Sequence, residues 1–403
     1  MYDVHSTTNP YLEKVRSHKK PYIFEVLGKK IIINPNVMSP KYDWSSRFCI
    51  EQMPNQKGKS FLEVGSGCGV ISVFAGLQEA QKVVALDINP NAVENTKNNF
   101  GKYNLTNAQA LESDLFEKTH STFDTIFFNA PYHGSEPQDM LERGVSDHNY
   151  EVLRRFLREA KKYLNKKGSI FLGFSNTGDT DLLNHLILEN KYFLVEKKEE
   201  TNEGWTAYLY ELKPLLFVNH WLELFFKDNL YFFKQYEDLV KTGKVLYVGH
   251  GNGQTVYSIS LWNNDVVGLD ITLYEHALVQ DKVVLYEGEH FPFRDNSFDT
   301  VICNYVLHHT NDPVEILKEI KRVSKKNIVI VEETHDTFLQ KLDQVSFDWY
   351  ANVSANQGVD IQWKSYFTRK GIREAFNKLS LSIKKVKTEK RRSFWVELFI
   401  LKK

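Results

Sequence analysis

The chain repeats itself once, and that repeat constrains its fold more than any other feature. Ser60–Asp87 reads SFLEVGSGCGVISVFAGLQEAQKVVALD, and Lys244–Asp270 reads KVLYVGHGNGQTVYSISLWNNDVVGLD. Each is an apolar strand, a glycine-rich turn, a helix-length stretch and a second apolar strand ending in Asp. Farther on, FDTIFFN at Phe123–Asn129 is echoed by FDTVICN at Phe298–Asn304. The echoes stand 184 residues apart at the first glycine (65 to 249), 183 at the Asp (87 to 270) and 175 at FDT (123 to 298). Two copies of one fold, with loops of different length, account for these offsets. Strands alternating with helix-length stretches imply parallel βαβ units, hence an α/β sheet covered on both faces.

Both copies also end alike. YFLVEKKEE and WTAYLYEL close the first, LSIKKVKTEKRR and SFWVELFIL the second, and each pair reads as a terminal antiparallel hairpin on the sheet edge. The expected architecture is two tandem Rossmann-like domains, each a mostly parallel sheet with such a hairpin. Residues 1–59 form an N-terminal extension whose FEVLGKKIIINP reads as a short hairpin, and 60–213 the first domain. Residues 214–243 are a helical linker and 244–403 the second domain. The aromatic side chains of that linker suit either core packing or a substrate lid.

A chain of 403 residues has room for two such domains. Lys+Arg and Asp+Glu are equal at 51 each, which argues against a protein held to nucleic acid by bulk charge. Cys49, Cys68 and Cys303 have no paired spacing, so neither a disulfide framework nor a zinc site is expected, and no metal ligand set is assigned. The N-terminus lacks an apolar core, and the greasiest stretch, Leu215 to Phe233, is broken by His220, Glu223, Lys227 and Asp228. The chain reads as soluble and cytoplasmic.

Closely spaced glycines between a strand and a helix let the backbone approach a ligand, with N–H groups facing it. The acid ending the next strand can accept both hydroxyls of a ribose. Gly65, Gly67 and Gly69 with Asp87 satisfy this pattern in copy one, and Gly249, Gly251 and Gly253 with Asp270 in copy two. The dehydrogenase fingerprint wants a glycine where Val70 and Gln254 stand, which disfavours a nicotinamide enzyme. E-V-G-S-G-C-G-V followed by A-L-D-I-N resembles the class I S-adenosylmethionine-dependent methyltransferases, and both copies share the likeness over most of residues 45–400. The resemblance implies S-adenosylmethionine as cofactor and S-adenosylhomocysteine as product. By it, Glu63 opens the glycine motif, Asp87 holds the ribose, Asp114 contacts the adenine, and Asn129 also counts among the cofactor-binding residues.

Asn129-Ala130-Pro131-Tyr132 resembles the Asn-Pro-Pro-Tyr motif of methyltransferases acting on nitrogen in planar groups, namely glutamine amides and the amino groups of adenine and guanine. The Asn129 side-chain oxygen and the Ala130 carbonyl would accept the two N–H groups of such a nitrogen, and Tyr132 would stack on the flat substrate. An ordinary turn after a strand is the bland alternative. Copy two resembles small-molecule methyltransferases through G-E-H-F-P-F-R-D-N-S-F-D and N-Y-V-L-H-H-T-N-D-P. There Tyr247 replaces the acid that opens the glycine motif, and Glu287 stands at the adenine position. His308 is a candidate base beside the methyl, or else part of a strand-end pair with His309 that shapes the pocket.

Basic stretches at Lys14–Lys20 and Lys384–Arg392 suit phosphate contacts or solvated edges. An insertion carrying Asp343, Asp348, Trp349, Tyr350 and Trp363 suits substrate contacts or core. The resulting expectation is a tandem methyltransferase. Its first domain methylates a planar nitrogen of a small molecule or peptide, and its second is another methyltransferase. The alternative is an RNA or protein-glutamine N-methyltransferase with a degenerate, supporting second domain. No membrane partner is expected.

Overall fold

Each sheet grows outward from an apolar strand that runs into a glycine turn. The computed structural model describes residues 10–215, 220–275, 277–288, 290–355 and 361–403. The chain divides into two units, Met1–Leu215 and Leu216–Lys403.

In unit 1, α1 (Pro10–Ser17) precedes a hairpin of β1 (Tyr22–Val26) and β2 (Lys29–Ile33), followed by α2 (Ser45–Gln52). The alternating unit then runs β3 (Ser60–Val64), α3 (Val70–Leu77), β4 (Lys82–Asp87), α4 (Pro90–Lys102), β5 (Ala108–Glu112), β6 (Phe123–Asn129), α5 (Glu151–Glu159), β7 (Leu164–Ser175) and α6 (Thr180–Glu189), and closes with β8 (Tyr192–Asn202) and β9 (Trp205–Pro214). The sheet order is β5-β4-β3-β6-β7-β9-β8, parallel except where β9 pairs with β7 and β8.

Unit 2 begins with α7 (His220–Phe233). It continues β10 (Val245–Val248), α8 (Gln254–Ser260), β11 (Val266–Asp270), β12 (Val283–Leu285), β13 (Phe298–Asn304), α9 (Pro313–Val323), β14 (Ser324–Thr334), α10 (Phe338–Ala355) and α11 (Arg369–Lys378), then the hairpin β15 (Ser382–Arg391) and β16 (Phe394–Lys402). Its order, β12-β11-β10-β13-β14-β16-β15, repeats that of unit 1 strand for strand. The doubly covered α/β fold expected from the repeat is the one that forms.

The strands bury nearly continuous apolar runs, as parallel strands covered on both faces must. Phe61, Leu62, Phe127 and Ile170 fill unit 1, and Leu246, Val301, Ile302 and Ile328 fill unit 2. Asp312 caps α9 by accepting from the Val314 and Glu315 N–H groups, with Pro313 at the first helical position.

The units differ most between their second and third strands. Asp87 to Ala108 takes 21 positions and includes α4, whereas Asp270 to Val283 takes 13 and holds no α-helix among the described residues. That accounts for the drop in the repeat offset from 183 to 175. Helix α4 has a second task. Asn95 and Asn99, both buried, donate to the Ile32 carbonyl and accept from the Asn34 and Ile32 N–H groups, which fastens the β1–β2 hairpin to unit 1.

Candidate active sites

The glycine turns adopt a backbone that explains their spacing. Gly65, Gly67 and Gly69 have φ of 67°, 54° and 76°, and Gly249, Gly251 and Gly253 have 78°, 52° and 75°. All six lie in the left-handed region, where a side chain is strained. The turns are tied to the next strand by the same bond in both units. Asp87 Oδ2 accepts from the Gly67 N–H at 2.7 Å, and Asp270 Oδ2 accepts from the Gly251 N–H at 2.8 Å. Each aspartate therefore sits at the mouth of its glycine turn, at the carboxyl ends of the strands, where open α/β sheets bind ligands.

In unit 1 these groups line a cavity of about 500 Å³ that also receives Glu63, Asp114 and Asn129 through Tyr132. Glu63 is buried, its Oε2 accepting from the Ser72 backbone N–H at 2.9 Å and from the Ser72 hydroxyl. Burial pushes its carboxyl up to about 8, with Asp87 adding to the rise against the Ser72 bonds. An under-solvated carboxylate of this kind is suited to a cationic ligand such as an ammonium. Asp114 lines the wall, where both its oxygens accept from Arg155 Nη1, at 3.2 and 2.9 Å. The residue expected to contact the adenine is thus engaged in an ion pair. The donor set, a backbone turn, a ribose-height carboxylate and a buried acid, fits a nucleoside carrying an amino-acid tail.

On the neighbouring strand, one position past the Val64–Phe128 pair, β6 stops at Asn129, which is half-buried. Its Oδ1 accepts from the Tyr132 hydroxyl at 2.9 Å, and its Nδ2 donates to Ser45 Oγ at 3.2 Å. The amide is therefore held from both sides, and Oδ1 keeps a second lone pair. Ala130 is buried and its N–H donates to the Gly173 carbonyl at 3.2 Å, which fixes the Asn129–Ala130 peptide, one residue before the Ala130 carbonyl. The Tyr132 ring stands edge-on to Phe174 and tilted against Trp205, with burial raising its hydroxyl well above the ordinary tyrosine value.

Four contributors escaped the sequence reading. Ser45, held by Asp43 through its N–H at 2.8 Å and hydroxyl at 2.9 Å, comes from the stretch read as an extension, as do Met38 and Pro40 in the cavity wall. Gly173 makes room for Asn129, because a Cβ there would lie 2.3 Å from Asn129 Oδ1. Only a glycine inside a strand pattern hinted at such a close approach.

Unit 2 encloses a larger cavity of about 930 Å³, lined by Gly249, Gly251, Asp270, Glu287 and Asn304. Tyr247, at the place of Glu63, is buried and burial raises its hydroxyl, so no charge stands there. The strand-end residues differ in kind from those of unit 1. His308 is buried, its Nδ1 bonded to Glu332 Oε1 and its Nε2 3.7 Å from Asp348 Oδ1. Burial opposes a charge on His308, yet Glu332 and Asp348 hold its imidazolium well above the ordinary histidine value. His309 Nε2 lies 3.6 Å from the same Asp348 oxygen.

Asp348 thus emerges from the insertion as a site residue, while Trp349, Tyr350 and Trp363 are 57%, 52% and 42% exposed rather than core. The late basic stretch lies on β15, the sheet edge, where Lys385 Nζ donates to the Gln235 carbonyl, Lys387 Nζ stands over the Tyr231 ring, and Arg391 pairs with Asp228 and, at 3.5 Å, with Glu333. In the front stretch, Arg16 pairs with Asp139. Among the described residues no helix is long and apolar enough to cross a membrane.

Residues 29–202 match the family described as Methyltransferase small domain, and residues 246–331 match Methyltransferase domain. A Methanocaldococcus jannaschii protein, whose name proposes protein N5-glutamine methyltransferase activity, is 36% identical over 172 residues, covering 41% of this chain and 85% of that protein. The ribosomal RNA small subunit methyltransferase C of Vibrio vulnificus is 28% identical over 155 residues, which is 38% of this chain and 42% of the relative. A solved methyltransferase from Pyrococcus furiosus shares 22% identity at a TM-score of 0.37, over 47% of this chain and 91% of that one. With the repeat and its glycine turns, these matches place the chain in the class I S-adenosylmethionine-dependent methyltransferases, with two methyltransferase domains in tandem.

Proposed function

We propose that unit 1 methylates the side-chain amide nitrogen of a glutamine in a protein. The observation that carries this reading is the doubly held Asn129 amide, followed by the fixed Asn129–Ala130 peptide, at the end of β6 and on the wall of the cavity. An amide nitrogen is a poor nucleophile because its lone pair is delocalised into the carbonyl. Accepting its two N–H hydrogens on Asn129 Oδ1 and the Ala130 carbonyl would hold the nitrogen with its lone pair aimed along the cavity. Gly65, Gly67, Gly69 and Asp87 would hold the cofactor's nucleoside and Glu63 its ammonium. When bound, S-adenosylmethionine supplies an already activated methyl group on sulfur. Alignment rather than a strong base is then what these residues contribute.

The leaning of the sequence towards a small acceptor is set aside, because relatives matched by this chain are named for protein glutamine and ribosomal RNA. Between those two, the cavity favours the uncharged acceptor. Asp43, Asp114, Glu136, Asp147 and Glu151 outnumber Arg143 and Arg155 around it, a lining that repels a phosphate backbone.

Methyl-labelled S-adenosylmethionine, incubated with the chain and a fractionated cell extract, should label protein in a ribonuclease-resistant form. Mass spectrometry should place the methyl on a glutamine, and Asn129→Ala should remove it. Label that ribonuclease releases would replace glutamine with a guanine acceptor. Label in neither fraction would overturn the macromolecular reading.

A further inference from the structure

Where unit 1 ends its fourth strand in a neutral amide, unit 2 gathers two imidazoles and a carboxylate. One ligand atom each from His308, His309 and Asp348 lies within 4.8 Å of the others. We propose that unit 2 binds a divalent transition-metal ion of the zinc class through His308 Nε2, His309 Nε2 and Asp348 Oδ1. This site goes beyond the methyl transfer proposed for unit 1 and does not depend on it.

The distances suit such an ion. Ligands of a tetrahedral zinc, each about 2.0–2.2 Å from the metal, stand roughly 3.3–3.6 Å apart. Asp348 Oδ1 is already 3.7 Å from His308 Nε2 and 3.6 Å from His309 Nε2. The supporting shell is also built. Glu332 is fully buried, and its Oε2 accepts from the Leu307 N–H at 3.1 Å while its Oε1 accepts from the Glu333 N–H at 2.8 Å and faces His308 Nδ1. A carboxylate on Nδ1 keeps a proton there, so a metal arriving at Nε2 displaces the other imidazolium proton and takes that lone pair, the arrangement that histidine ligands usually show. Asp348 is oriented in turn by the Tyr366 hydroxyl, which donates to Oδ2 at 2.5 Å, and by Asn352 Nδ2, which donates to Oδ1 at 2.7 Å.

Two imidazoles and one carboxylate select zinc, iron(II) or cobalt(II) over magnesium or calcium, which prefer oxygen ligands. Three protein ligands leave a position open. That position faces the cavity that the Gly249–Gly251 turn also lines, so water or a heteroatom of the acceptor would complete the sphere. Glu333 stands on the same wall, 4% exposed, and its Oε2 has no hydrogen-bond partner among the described residues. A cation would offset this concentration of buried acid.

The test uses the chain free of any tag, stripped with a chelator and titrated with Co²⁺. One equivalent should bind with visible d–d absorption, and Zn²⁺ should displace it. Asp348→Asn, which keeps the side-chain shape, and His309→Ala should each weaken binding by at least roughly 10–100-fold, the loss seen even for residues that only support a ligand. His120→Ala, an exposed histidine of unit 1, should change nothing. In the unsubstituted chain, Zn²⁺ should also shield His309 from carbethoxylation, a readout that does not depend on any variant folding. A chain that takes up no Co²⁺ would overturn the site. So would Co²⁺ binding that survives in both cluster variants, or modification of His309 that proceeds equally with and without Zn²⁺.

Discussion

Unit 1 and unit 2 share a sheet order, a glycine turn in the left-handed region and one aspartate bond, and they part at the end of the fourth strand. In unit 1, Asn129 is paired in register with Gly173, and the next residue on that strand, Phe174, packs against Tyr132. In unit 2, Asn304 is paired with Val331, and the next residue, Glu332, holds His308. The exchange is coordinated. A phenylalanine that packs a tyrosine becomes a glutamate that pairs a histidine, and the neutral cradle becomes a charged one. The two copies thus keep one frame and differ in the side chains set at the strand end, which is where chemistry can diverge on a shared fold.

The largest expected effect falls where the units differ most. Asn129→Ala in unit 1 should lower the methylation rate by roughly 10²–10³-fold, the range for losing one well-placed polar partner of a reacting group. Cofactor affinity should stay within a few-fold, because the Asn129 side chain bonds to Ser45 and Tyr132, not to Glu63, Asp87 or the glycine turn. Single-turnover rates and calorimetry on the same variant separate the two. An equal loss in both would move Asn129 from acceptor alignment to cofactor binding, and the contrast with unit 2 would blur.

A smaller effect tests whether the matching turns are equally constrained. A Cβ at Gly69 meets the Thr96 side chain at 2.6 Å, on α4, whereas one at Gly253 meets the Leu278 backbone oxygen at 2.2 Å. The Thr96 Cβ itself lies 3.0 Å away, so α4 must give slightly there, whereas the closer Leu278 carbonyl can move only with its own backbone. Gly69→Ala should therefore cost about 1–3 kcal/mol, mostly for its left-handed backbone, and Gly253→Ala distinctly more. Hydrogen exchange at β3 and at β10 reads the two units apart. Equal losses would show that the missing helix of unit 2 does not stiffen its turn.

Much of this contrast was legible in the sequence. The glycine spacing, the terminal Asp residues and the strand-end Asn129 and Asn304 are local signals, each carried by a few consecutive residues, and the offsets located the lost helix as a shorter loop. What stayed hidden is what packing brings together across the chain. Asp348 reaches His308 and His309 from an insertion 39 positions downstream of His309, so the cluster has no spacing to read. Ser45 reaches Asn129 from the segment read as an N-terminal extension, and Arg391 leaves a lysine-rich run to meet Asp228 and Glu333. Tyr132 reads as a stacking platform, yet its hydroxyl also sets the Asn129 amide.

The finest test of the comparison sets Glu63 against Tyr247. Burial raises the Glu63 carboxyl from 4.5 to about 8, while Tyr247 stays neutral across the same range because burial only raises it further. The sign follows from the raised value. Folded unit 1 holds a proton on Glu63 that the unfolded chain releases near 4.5, so the contribution of this group to stability is full below that pH. It fades as the pH rises to about 8. An ammonium ligand prefers the ionised form, so cofactor affinity in unit 1 should move the other way. It should rise with pH and level off above about 8, by at most tenfold per pH unit. Calorimetry in an Asp270→Ala background, where binding to unit 2 is weakened, isolates the curve of unit 1. Glu63→Gln should flatten that curve and remove the loss of stability between 4.5 and 8. A slope that persists in Glu63→Gln would assign the pH dependence to Asp87, the other raised acid beside the turn, and the charge at the head of the glycine motif would no longer separate the two units.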